Sequence, residues 1–583
     1  MIKTLITIVT ALVVATSLPL PSTAPDRAPL IQPNLVANVK RYGASGSAAT
    51  TFGSIAAGSH TLTLARPIDF ENGTGIFVPN AGTMSTLPTP KAPAVSIGGG
   101  RSGTSTYGYR IVALDGDGGA PASSPVAVIT TGPPTLGGLG ANGGGGEPAL
   151  YKATWLALNV TGEPGANGGY AVYRTEVPAG SGLATGFIGI DLYTNAPFLD
   201  YGQRVHTPPP GVPASPPSAA LGDSFVTTIL HGGGTTVLTL SAAASTDVAN
   251  DLVYHDDTRA FQAALAANPS LLYVPPGSYG ISSPLNFHTT NGLFYGNGPS
   301  SLIRYQGNTA ATLNLGASGI TLEHLALDGQ STSYQLVGVS ANHALTGITI
   351  RDTVGRSSGF YGVNVANPNP PSIAYTDIAI NGNVYSDCEY AYSTYGNVDG
   401  IQIRGNRLFF TDYNHSGRGI SLHNLSSTQG YTFAQHFLIS SNTLRAGNHS
   451  AGIVIQGGGS GVIRDNVLLI SGGIYAFWGM GTSSLLDASG GYSFTSNHCT
   501  ALWPGTGVAV NLTDLVHVNI ADNHLRGFGY AFQVGGYGGP AFAAVRGNAV
   551  TITQNRLSAI AIAPVLGPLP LGVLYADNPV SPH

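Results

Sequence analysis

A short phrase recurs seven times in the second half of the chain: INGNVY, IRGNRL, ISSNTL, IRDNVL, FTSNHC, IADNHL and ITQNRL. Its Asn residues are 383, 406, 442, 466, 497, 523 and 555, separated by 23, 36, 24, 31, 26 and 32 residues. Irregular spacing around two or three short strands per turn is what the coils of a parallel β-helix produce, because the turns vary while the strands do not. Asn at one corner of every coil can stack into a ladder whose amides hydrogen-bond along the axis. These Asn are therefore read as structure, not chemistry.

Composition agrees. At 583 residues the chain is too long for one ordinary core. It holds 81 Gly and 39 Pro, yet 43% of it is hydrophobic, so turns joined by short apolar strands fit better than helices or disorder. Only 9% is charged, so Ser, Thr, Asn and Gly must solvate the surface, and a mildly acidic external habitat would suit it. A net charge of −5 gives no sign of a nucleic-acid partner.

Residues 1–24 read as a secretory signal, with Lys3 before an apolar run from Leu5 to Leu18 that is short for a membrane span. The expected location is outside the cell or on its surface, with no membrane span once the signal is removed. The two cysteines, Cys388 and Cys499, fall several coils apart and are expected as separate buried thiols.

Between the signal and the repeats lies a β-rich region. IAAGSHTLTL (Ile55 to Leu64) is similar to ILHGGGTTVLTL (Ile229 to Leu240), so a small unit is duplicated. Residues 25–98 are expected as an N-terminal β segment. Residues 99–205 carry TYGYRIVALDGDGGAPASSP, Trp155, YAVYR and FLDYG, and resemble a fibronectin type III-like sandwich, a module that usually spaces or binds. Residues 206–254 are a Pro-rich linker and a β segment. From His255 the chain reads HDDTRAFQAALAANPSLLYVPPGSYGI. Asp257 is placed to cap a short helix with Phe261, Ala264 and Leu265 on one face, stopped by Asn268-Pro269. DDT-x-AFQ-x-AL followed by V-P-P-G-x-Y resembles the opening of the pectate-lyase-like right-handed β-helix superfamily, which includes polygalacturonase-, rhamnogalacturonase- and tailspike-like members. Relatives run from a stretch like VKRYGASG (Val39 to Gly46) almost straight into it. The resemblance therefore implies an all-β chain: a right-handed parallel β-helix over 255–583, with a β-sandwich inserted near its start and the helix closing the open end.

A second pattern follows each Asn: GVNV, AYST, GISL, GIVI, IYAF, GVAV and AFQV. Read as one parallel sheet, its side chains alternate. Val363/Val365, Tyr392/Thr394, Ile420/Leu422, Ile453/Ile455, Tyr475/Phe477, Val508/Val510 and Phe532/Val534 are expected inside. One outward row is then Asn364, Ser393, Ser421, Val454, Ala476, Ala509 and Gln533. The other holds Tyr395, His423, Gln456 and Trp478, with Asn511 beyond. Neighbouring coils lie about 4.8 Å apart, so this stripe spans a few sugar units. Aromatic faces for apolar sugar faces, and amide and imidazole groups for hydroxyls, suit a polysaccharide. The turns before the sheet carry Asp387 and Glu389, then Asp412, His415 and Arg418, then His449. Asp387 and His415 share an offset in adjacent coils, where an Asp could orient a His base.

Two chemistries fit. Hydrolysis needs a carboxyl pair, drawn from Asp387, Glu389 and Asp412. Elimination from a uronate needs a base, His415 or His423, and a cation such as Arg418 to neutralise the carboxylate. The chain lacks the NTD, GHG and RIK triplets of polygalacturonases and the DPHD of alginate epimerases. No lysine follows Lys152, so a lysine base is excluded in the β-helix. No run of acidic residues suggests the Ca²⁺ cluster of many pectate lyases, although two or three carboxylates could hold one Ca²⁺. The alternative is a non-catalytic adhesin, filament or tailspike-like protein, and β-helices of that kind often form homotrimers.

Overall fold

The computed structural model describes residues 36–583 except 100–101, 117, 137–153, 192–196, 201, 203–204, 206, 209–210, 308–310, 332, 368–372, 410–417, 424–433, 447–450, 457–458, 471–474, 481–490, 503, 514–516, 536–549, 561, 567–572 and 582–583. The signal segment lies outside them. No helix among the described residues is long and apolar enough to cross a membrane.

Three parallel sheets run the length of the second half. One coil illustrates the path: Ala379–Asn381 in the first sheet, an Asn corner, Val384–Ser386 in the second, a turn, then Tyr390–Tyr395 in the third. A longer turn leads back to Gln402–Arg404, which pairs in parallel with Ala379–Asn381. Inside, one position stacks coil upon coil: Ile350, Ile380, Ile403, Ile439, Ile463, Phe494, Ile520 and Ile552, all essentially solvent-free. Burying each contributes about 1.5–3 kcal/mol. The fold is thus the expected all-β parallel β-helix.

The Asn ladder is present and continuous. The Asn406 Nδ2 and backbone N–H both donate to Asn442 Oδ1, at 2.9 and 3.0 Å, and Asn442 repeats this to Asn466. The second Nδ2 proton of each goes to a backbone carbonyl one coil back, such as Ile403 O for Asn442 at 2.9 Å. Every amide is fully used, which is what burial demands. The ladder extends past the seven predicted positions, to Thr353 at one end and Asn578 at the other. The residue before each Asn is left-handed, as in Ser441 (φ 57°), Asp465 (57°) and Asp522 (57°). That explains the small or polar residue always found there.

The start of the β-helix is made from two distant pieces. Val36–Asn38 pairs in parallel with Leu271–Tyr273 of the first sheet. The helix Thr258–Ala266 puts Phe261 and Ala264 into the same core, with Leu265 partly buried against it. Asp257 stands at its N-cap position but makes no capping bond. Instead its carboxylate accepts the N–H of Ser45 at 2.7 Å and of Gly46 at 3.3 Å. Gly46 (φ 66°) also lies against the Tyr279 ring, where a Cβ would come within 2.8 Å.

Between these pieces the chain forms two antiparallel units. The similar segments around Leu62 and Leu238 are neighbours, with Val237–Leu240 paired to Thr61–Leu64 in a closed barrel. Seven strands from Ala94–Gly99 to Phe198–Asp200 form a sandwich of a three-stranded and a four-stranded sheet. The Arg of YAVYR and the Asp of FLDYG meet in it. Arg174 binds Asp200 through Nη2 at 2.6 Å and Nε at 2.9 Å, and both side chains are fully buried. Cys388 and Cys499 are free and buried, as expected. Burial pushes the Cys388 thiol up to about 12.

Candidate functional site

The third sheet carries the predicted stripe, with one correction of register. Tyr395 pairs with His423, as expected. Past Gln456 the expectation fails. Ile453 pairs with Phe477, Val454 with Trp478, and Gln456 with Met480. Trp478 therefore belongs to the row of Asn364, Ser393, Ser421 and Val454, followed by Asn511 and Gln533. It does not continue the line of Tyr395, His423 and Gln456. Ala476 and Ala509 are not outward-row residues, and Tyr475 and Val508 are not partners of Ile453 and Tyr392 in the core.

The physical reason is a row of small residues that alternation alone does not show. Gly362, Ala391, Gly419, Gly452, Ala476, Ala509 and Ala531 hold equivalent places, where each strand leaves the preceding corner. A Cβ at Gly419 would overlap Leu444 of the second sheet. Aligning the strands on this Gly/Ala puts Phe477 and Val510 beside Ile453 and Phe532. Tyr475 then points away from the coil interior yet is buried, its ring 5.2 Å from Trp478, in a second small apolar cluster with Ala451, Val454, Val508 and Tyr530.

His423 is the best-held polar side chain of the stripe. Its Nδ1 is 2.8 Å from Gln456 Oε1, and its Nε2 is 2.7 Å from Ser421 Oγ. Gln456 Oε1 can only accept, so Nδ1 carries the proton and Nε2 accepts from the Ser421 hydroxyl. The imidazole is thereby fixed in tautomer and orientation. For Nε2 to take a proton from a substrate, Ser421 has to turn away. The Tyr390 ring stands edge-on at 5.9 Å from His423. Tyr395 is 42% exposed, an aromatic face open to solvent.

The titratable turn residues divide. Asp387 is half-buried at a left-handed corner (φ 53°), its N–H bonded to Phe409 O at 3.2 Å. That is a turn role, which Asp fills readily. Glu389 is half-buried and close enough to Tyr361 to help push its phenol up, after burial and the neighbouring tyrosines Tyr334 and Tyr390. Asp412, His415 and His449 lie outside the described residues. Arg418 opens its strand next to Tyr390, and its side chain is likewise outside the description.

Two features were not foreseen. One is an aromatic cluster beside the stripe: Phe360, Tyr361 and Tyr390 are mutually within 5.3 Å, and Tyr334 stacks on Phe360 at 5.7 Å. The signal was the residue before each Gly/Ala, tyrosine at 361 and 390. The other is an Asp–His pair, Asp399 Oδ1 to His436 Nδ1 at 2.8 Å, both side chains exposed. It follows Tyr395 by four residues and joins strands across the longer turn. Among the described residues no group of three or more His, Cys, Asp or Glu could hold a metal ion.

Sheets and ladder together define a parallel β-helix protein. No family model matches the sequence, and no curated protein does. Among solved structures, the catalytic domain of a GH87 alpha-1,3-glucanase in complex with tetrasaccharides is 11% identical, with a TM-score of 0.40, over 91% of this chain and 98% of that chain. The Streptococcus pneumoniae surface protein and adhesin PfbA is 10% identical, with a TM-score of 0.41, over 56% and 94%. The Azotobacter vinelandii mannuronan C-5 epimerase AlgE6 A-module is 14% identical, with a TM-score of 0.36, over 56% and 96%. At these identities and scores, none of them carries an argument about what this chain does.

Proposed function

We propose that this chain is a secreted carbohydrate-active β-helix protein that engages an extracellular polysaccharide along the outward face of its third sheet and cleaves it. The observation that carries this reading is the fixed His423, held by Ser421 and Gln456, with Tyr390 and the exposed Tyr395 beside it on the preceding coil. Such a row offers stacking surfaces and oriented hydrogen-bonding groups at the repeat of a sugar chain. Of the two cleavage chemistries, the Asp399–His436 pair favours elimination, because an Asp-oriented imidazole is a competent base. Hydrolysis would need Glu389 with a second carboxylate. The seven-stranded sandwich, fibronectin type III-like in sequence, would space or bind.

The test is a screen of purified protein against a broad panel of polysaccharides, with product analysis. Unsaturated products absorbing in the short-wavelength ultraviolet mark elimination; new reducing ends without them mark hydrolysis. Elimination should be lost in His436→Ala, and hydrolysis in Glu389→Gln. No cleavage on any polymer would leave the adhesin or filament reading in possession. Cleavage that survives Tyr395→Ala, His423→Ala, Glu389→Gln and His436→Ala would remove this face as the site.

A further inference from the structure

A second polar site lies on the second sheet, near its last coils. Val467, His498, His524 and Arg556 follow one another on four consecutive coils in one outward row. Leu469, Thr500, Arg526 and Ser558 form the row beside it. The His498 and His524 rings meet edge to face at 5.7 Å, and His524 Nε2 is 3.2 Å from Ser558 Oγ. A cleft of about 530 Å³ opens here, lined by His524, Arg526, Arg556, Ser558, Pro579 and Ser581.

This arrangement works against folding if nothing binds to it. Arg526 and Arg556 are diagonal neighbours on adjacent strands, within reach of one another as long side chains of like charge. Some outward arginines of the same β-helix meet carboxylates, as Arg351 meets Glu323, Arg356 meets Asp328 and Arg464 meets Asp465, whereas among the described residues Arg404 and Arg407 stand singly on its surface. Among the described residues no carboxylate pairs with Arg526 or Arg556. The nearest acids along the chain, Asp522 and Asp577, belong to the Asn corners. The His524 imidazole is held below its ordinary range by burial first, then by His498, Arg526 and Arg556. An oxyanion in the cleft would offset the charge of both arginines.

We infer that this cleft binds the oxyanion substituents, carboxylate or sulfate, of an acidic polysaccharide. Planar guanidinium groups bind such oxyanions through paired hydrogen bonds. The coils recur about every 4.8 Å, the order of one pyranose residue, so successive sugars can present anions to successive coils. A nucleic acid is disfavoured: the basic track covers two adjacent coils, and the whole chain is net negative at −5. The choice of a polysaccharide rests on the function proposed above; the cleft and its charge do not.

Affinity electrophoresis of the full chain tests this in gels containing polygalacturonate, sulfated dextran or neutral dextran. The wild type should be retarded by at least one acidic polymer, and added salt should weaken the effect. Arg526→Gln/Arg556→Gln should weaken it by about 10-fold, the order expected for lost charge-assisted pairs. Its melting temperature should equal or exceed that of the wild type. Tyr395→Ala removes a contact of the third-sheet face alone, so the acidic retardation that it keeps belongs to the cleft and should fall further when Arg526→Gln/Arg556→Gln is added. Retardation by polygalacturonate alone identifies carboxylate, by sulfated dextran alone sulfate. The inference is overturned by no acidic retardation, by equal retardation of the double variant, or by equal retardation with a single-stranded oligonucleotide.

Discussion

The carboxylate of Asp257 accepts the backbone N–H of Ser45 at 2.7 Å, although the two residues are 212 positions apart in sequence. VKRYGASG and HDDT are thereby rejoined as one opening turn of the β-helix, and the barrel and sandwich leave and return through this joint. His255 and Asp256 lie buried in the same place. Asp256 accepts Thr258 Oγ1 at 2.7 Å and the Ser282 N–H at 3.0 Å. The His255 ring packs edge-on against Phe70 of the barrel at 5.1 Å.

This joint should make stability depend on pH. Burial pushes the Asp257 carboxyl up to about 7, and also raises Asp256. An acid with a raised folded pKa keeps its proton in the native state after the unfolded chain has lost it. Stability therefore falls as pH rises from about 4 to about 7. Burial lowers His255 to about 4, which acts the other way as pH falls below its ordinary range. Two acids oppose one imidazole, so the melting temperature should be higher near pH 5 than near pH 7.5. Asp257→Asn should flatten that slope and His255→Gln should steepen it. Thermal unfolding at one fixed scan rate across the range measures all three.

The middle of the Asn ladder should be costly to break. Asn442→Ala strands the Asn406 amide and its backbone N–H in a dry interior, and leaves the Asn466 side-chain oxygen with only the backbone N–H of residue 442. Each stranded group costs about 1–3 kcal/mol, so a loss of at least about 2 kcal/mol is expected. Asn578→Ala removes only the terminal rung, which is partly exposed, and should cost less. Denaturant midpoints of the two variants decide this; equal losses would mean that the ladder does not act as a continuous chain.

The ladder was legible because Asn383 to Asn555 sit in a fixed local frame, apolar–x–x–Asn. The third sheet was only partly so. In Ile453–Ile455 and Ile420–Leu422 the alternation of size marks the inward face. In YAFWGM, aromatics occupy both faces, and in GVAVNL valines precede and follow the strand's turn inward. Periodicity of two then fits either of two registers, and only the stacked Gly/Ala row, Gly419 to Ala531, distinguishes them. The Asp399–His436 pair was hidden for another reason. Its members are 37 residues apart, and only the coil length brings them together.

The corrected register separates two aromatic residues that the sequence put in one line. Tyr395→Ala and His423→Ala should each lower polysaccharide affinity by about 10-fold, near 1.4 kcal/mol, with little change in melting temperature. Trp478 packs on Tyr475 beside Val454. Trp478→Ala should instead destabilise the fold by about 2 kcal/mol and leave affinity within about twofold of the wild type. Paired affinity electrophoresis and thermal unfolding make the comparison. Should Trp478→Ala abolish binding at unchanged stability, the first outward row would be the binding surface.

The sandwich has its own point of failure. Asp200 accepts two bonds from Arg174, one from the Tyr109 hydroxyl at 2.7 Å and one from the Gly202 N–H at 2.7 Å. With both charges buried, neither can recover water if the other is lost. Burial of the pair is itself of small net value, because desolvation offsets attraction, but an orphaned charge costs about 3–5 kcal/mol. Asp200→Asn should therefore be far more damaging than the double change Arg174→Met/Asp200→Leu, which removes both charges together. The hydrophobic core of the sandwich, around Tyr107, Ile111, Leu156 and Val172, is separate from that of the β-helix. Calorimetry of Asp200→Asn should then show a transition displaced to lower temperature while the β-helix transition stays in place. A single transition that shifts as a whole would mean that the two cores unfold together.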